Sequence, residues 1–89
     1  MPTLQQKYAE LLTRMRLPEN AERYNELYGE LSENDNDFYI LRWEMDRKIP
    51  TLLKNIEKEQ GAYRDFLRAD CQTSIKKVEK LLTDSGWAK

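Results

Sequence analysis

Residues 51–84 read TLLKNIEKEQGAYRDFLRADCQTSIKKVEKLLTD, and their periodicity decides the fold. Leu52, Ile56, Tyr63, Leu67, Cys71, Ile75, Val78 and Leu82 recur at the spacing that places apolar side chains on one face of an α-helix. Unbroken, the stripe spans on the order of 46 Å. Gly61 is its weak point. Ser85-Gly86 reads as a stop, with Gly86 in the left-handed conformation and Trp87 folding back on Leu82.

Pro50 breaks or kinks the chain before this segment. Upstream, a third helix runs from about 36 to 49, with Phe38, Leu41, Met45 and Ile49 on one stripe. The polar stretch Ser32-Glu33-Asn34-Asp35-Asn36-Asp37 reads as a loop, with Asp35 or Asn36 the favoured cap of that helix. Pro18 suits the first turn of a second helix, about 18–31, whose face is Ala21, Tyr24, Leu27, Tyr28 and Leu31. Thr3 and Gln6 form a capping box at the start of a first helix, about 3–17, carrying Leu4, Tyr8, Leu11, Leu12 and Met15. The expected fold is therefore all-α: a small helical bundle in one domain, 1–89. Two short N-terminal helices and a third pack along one long C-terminal helix, about 51–84.

Composition narrows the function classes. With 89 residues there is room for one core. Three Gly, three Pro and a single Val leave little that reads as strand. The chain has no His, which removes His-based acid–base catalysis and the commonest zinc and haem ligands. One Cys cannot form an internal disulfide. No apolar run approaches a membrane span, and a cytoplasmic location, in a bacterium or phage, is expected. Residues 1–45 carry five basic and nine acidic groups, residues 46–89 ten and seven. The opposite signs suit early helices packed against the last one.

Several motifs have ordinary readings. Glu33, Asp35, Asp37 and Glu44 match EF-hand ligand positions, but the position that needs a sharp-turn Gly is Phe38; the segment reads as a solvated linker, and no metal is expected. Cys71 lies on the apolar stripe and reads as a small buried hydrophobe. As a coiled-coil seam the long stripe puts Gln60, Asp70 and Ser74 at core positions, too polar for a two-stranded zipper.

The third helix carries the functional signal. At 100° per residue, Tyr39 and Trp43 fall about 100° and 140° from Phe38, Arg47 about 180° and Ile40 about 200°. A second face holding Tyr, Ile, Trp and Arg matches the composition of binding hot spots. The expected function is a small non-enzymatic protein-interaction module: an adaptor, inhibitor, immunity-type or chaperone-like protein. It docks a partner protein through Tyr39, Ile40, Trp43 and Arg47, without a cofactor. The alternatives are a nucleic-acid-associated regulator using Arg64, Arg68, Lys76, Lys77 and Lys80, and a homo-oligomeric structural subunit, such as a homodimer, built on the long helix.

Overall fold

The computed structural model describes residues 3–30 and 36–89, with the side chains of 28–30 and 36 left aside. The expected apolar positions Tyr28 and Leu31, and the caps among Ser32, Asp35 and Asn36, fall outside the described residues or side chains. The chain is an all-α bundle measuring 43 × 28 × 19 Å. Its helices are α1 (Leu4–Met15), α2 (Pro18–Glu30), α3 (Asn36–Trp43), α4 (Ile49–Lys58) and α5 (Gly61–Asp84), with a π-helical turn over Glu44–Lys48. Among the described residues no helix is long and apolar enough to cross a membrane.

The capping box forms as expected. Thr3 Oγ1 accepts from the Gln6 N–H at 3.1 Å, and Gln6 Oε1 accepts from the Thr3 N–H at 2.8 Å, so two donors at the start of α1 are satisfied reciprocally. The helix closes at Met15, and Pro18 opens α2 after a short corner. Pro is well placed there, because a first-turn N–H has no partner within the helix.

The divisions at 49 and 51 and the unbroken run 51–84 need correction. Helical backbone continues through Pro50, and the chain breaks instead at Glu59–Gln60, which are extended. The π-turn explains the first difference. A proline in a helix lacks an N–H, and its ring clashes with the carbonyl four residues back. Over Glu44–Lys48 the bonding shifts to five residues, with the Ile49 N–H donating to the Glu44 carbonyl. The next acceptor in that series is Met45, facing Pro50, which has nothing to donate. The Tyr8 hydroxyl donates to the Met45 carbonyl instead, at 2.6 Å. Gly61 explains the second difference. Its φ of +73° is a left-handed conformation that glycine adopts without a Cβ penalty, and it turns the chain back on itself.

The long stripe is thus folded in two. The helical run 36–58 and α5 form an antiparallel hairpin, its register marked by Lys48–Asp70 at 3.5 Å and Glu44–Lys77 at 3.8 Å. Leu41, Met45, Ile49, Leu52 and Ile56 face Leu67, Cys71, Ile75, Val78 and Leu82 in one buried core, with Leu11 of α1 closing it. Tyr63, expected on the stripe, is instead 55% exposed on the first turn of α5.

The end of α5 follows the sequence closely. Gly86 has φ +74°, its N–H donates to the Thr83 carbonyl, and the Trp87 N–H reaches the Leu82 carbonyl at 2.9 Å. These are the two bonds of a Schellman motif, and Trp87 is left 6% exposed.

Candidate functional site

The two faces of the third helical segment are sharply different. Phe38, Leu41, Met45 and Ile49 are buried, whereas Tyr39 is 69% and Trp43 53% exposed. Ile40 is half-buried and Arg47 exposed. The helix therefore places Tyr39, Ile40, Trp43 and Arg47 on its outer side, two of them large aromatics in contact with solvent. Burying such surface is worth about 25 cal/mol per Å², so each ring is an anchor wherever a complementary surface covers it.

The π-turn begins directly after Trp43 and brings Glu44 inward. The Glu44 side chain is 3% exposed, with Oε1 3.8 Å from both Lys48 Nζ and Lys77 Nζ, and Oε2 lacks a hydrogen-bond partner. These long contacts hold the carboxylate between two helices without the short charge-assisted bonds that a buried ion ordinarily needs. Glu44 is the last of the acids at EF-hand spacing, in a segment read as a solvated linker. It lies instead in helical backbone, between lysines, and cannot serve that geometry. Glu33 and Asp35 of the same motif fall outside the described residues. Among the described residues no cluster of acids, Cys and His is arranged to hold a metal.

The five basic residues of the nucleic-acid reading do not come together. Arg64 and Arg68 line a cleft against α1, Lys77 is paired with Glu44 on the other side of α5, and Lys76 and Lys80 are exposed at helical angles between these. A phosphate track requires cations along one side. Cys71 is fully enclosed. Burial, and secondarily Asp70, pushes its thiol pKa up from 9.0, opposite to the shift that activates a nucleophilic cysteine.

Two features had little sequence signal. Asn20 is buried and donates through Nδ2 to the carbonyls of Arg14 at 2.7 Å and Ala88 at 2.8 Å, while its Oδ1 accepts from the Ala88 N–H at 2.9 Å. Arg14 donates to the Ala88 and Trp87 carbonyls, and the Arg23 guanidinium sits 4.6 Å above the Trp87 ring. Asparagine in a helix ordinarily reads as a solvent-facing residue, so this clasp was illegible. Phe66 on α5 is 65% exposed and Tyr63 55%, both at the opposite end of the hairpin from Trp43. No protein-family model matches the chain, and no curated protein or solved structure matches it.

Proposed function

We propose that this chain is a protein-interaction module, without catalytic function, that docks a partner protein through the outer face of its third helical segment. Trp43 and Tyr39 are the anchors, Ile40 fills between them, and Arg47 supplies a directional charge. The observation that supports this reading is the solvent exposure of Tyr39 and Trp43 on a helix whose inner face already satisfies the core. Exposed aromatics beside an arginine have the composition of interface hot spots. The test compares capture by the native chain and by a Trp43→Ala variant with unchanged helical circular dichroism. Loss of a specific partner on substitution is the expected result; undiminished capture overturns the proposal.

A second reading, self-association through the long helix, is favoured by Tyr63 and Phe66, which are exposed on the first turns of α5. Light scattering separates the two. A dimer that Phe66→Ser converts to monomer supports self-association, and a monomer at all concentrations excludes it.

A further inference from the structure

We propose that the cleft where α1, α4 and α5 meet binds a small amphipathic anion, a carboxylate or phosphate head carried on an apolar body. The cleft has a volume of about 500 Å³, within the range of small-molecule sites. Its apolar wall is Leu4, Leu53 and Ile56, and its cations are Lys7, Arg64 and Arg68. Leu53 is half-buried and Ile56 buried, so the wall is continuous with the core.

Charge is what makes this cleft different from an ordinary crevice. Among the described residues Lys7, Arg64 and Arg68 form no ion pair. Arg64 and Arg68 are one helical turn apart, a spacing at which like charges repel. Lys7 and Arg64 each occupy the fourth position of their helices, near the positive end of the dipole, where a cation is disfavoured. Neither α1 nor α5 has an acid in its first turn to offset this. The lining acid, Glu57, is engaged by Gln5, whose Nε2 donates to Glu57 Oε1 at 2.9 Å. Three cations against one acid leave a surplus of positive charge beside an apolar wall. An anionic head between the two guanidiniums relieves the repulsion and can accept from both. Its apolar body then covers Leu4 and Leu53. This site is separate from the Trp43 face and does not depend on it.

The probe is decanoate below its micelle concentration, titrated into the full chain by calorimetry, with inorganic phosphate and decyltrimethylammonium in parallel. Saturable decanoate binding is expected, at least tenfold tighter than phosphate, with no binding of the cationic amphiphile. Arg64→Gln with Arg68→Gln should weaken decanoate at least tenfold at unchanged circular dichroism, and Lys7→Gln should weaken it less. The proposal is overturned if decanoate does not saturate, or if the Gln variants bind it as the native chain does. Equal affinity for decanoate and phosphate removes the role of the apolar wall, and equal binding of the cationic amphiphile removes the role of charge; either also overturns it.

Discussion

The Tyr8 hydroxyl of α1 donates to the Met45 carbonyl at 2.6 Å, supplying a hydrogen bond that Pro50 cannot give. That one bond ties the first helix to the π-turn and stands in for the missing proline N–H. Removing it leaves a partly buried carbonyl short of a donor. Tyr8→Phe should therefore lower stability by about 1–2 kcal/mol, read as a shift in the urea midpoint. In a Pro50→Ala background the N–H is restored, and the cost of Tyr8→Phe should shrink. A double-mutant cycle with no coupling contradicts this account of how the helix passes Pro50.

The same hydroxyl makes stability depend on alkaline pH. Burial first, and the Asp46 carboxylate second, raise the Tyr8 phenol above 10.0, with Arg16 opposing; Tyr24 is raised in the same way, with Arg42 opposing. At neutral pH both phenols are protonated folded and unfolded, so their contribution is fully present. Above the unfolded value, the unfolded chain releases protons that the folded chain retains, and stability falls as pH rises through the folded pKa. Lysine titration adds to the decline, so the informative quantity is the difference between variants. Tyr8→Phe should lose less stability than the native chain over that range, and an equal or steeper loss counts against the assignment.

Asn20 holds the segment after α5 by reading the backbone of Ala88 from both sides. Asn20→Ala should cost about 1–2 kcal/mol, because the Ala88 N–H loses its partner while the Ala88 and Arg14 carbonyls each lose one of their donors. It should also shift Trp87 emission to the red as the indole leaves its place under Arg23. In a Trp43→Phe background, where Trp87 is the sole tryptophan, unchanged emission argues against the clasp.

Glu44 is buried beside lysines at 3.8 Å, with one oxygen unpartnered. A buried ion held so loosely repays little of its desolvation, and an apolar residue of similar size often does as well or better. Glu44→Met should leave stability unchanged or raise it by about 1 kcal/mol. A marked fall in the thermal midpoint shows that the carboxylate is better satisfied than its distances indicate.

The sequence carried the helical class, the Thr3–Gln6 box, the Gly86–Trp87 stop and the inward stripe Phe38, Leu41, Met45 and Ile49, because each is a local signal. What was left open at Pro50, a break or a kink, and at Gly61, the weak point where the helices do divide, has a common origin. Whether a proline breaks a helix depends on which neighbour takes up the freed carbonyl, and here that neighbour is Tyr8, 37 residues away. Whether glycine only weakens a helix depends on its φ, which one-dimensional periodicity does not carry. Tyr63 followed the stripe in sequence yet stands exposed on the first turn of α5. In the candidate site, the helical angles separated Tyr39 and Trp43 from the core stripe correctly. The Lys7, Arg64 and Arg68 cleft was invisible because its cations come from segments more than 50 residues apart.

The docking face is tested most directly by placing a photo-crosslinking phenylalanine analogue at position 43 in living cells of the source organism, with position 76 as an exposed control. The account predicts a discrete heterologous adduct at 43 that is absent at 76 and lost when Arg47→Glu is added. Adducts of the same kind and yield at both positions, or none at 43, contradict it.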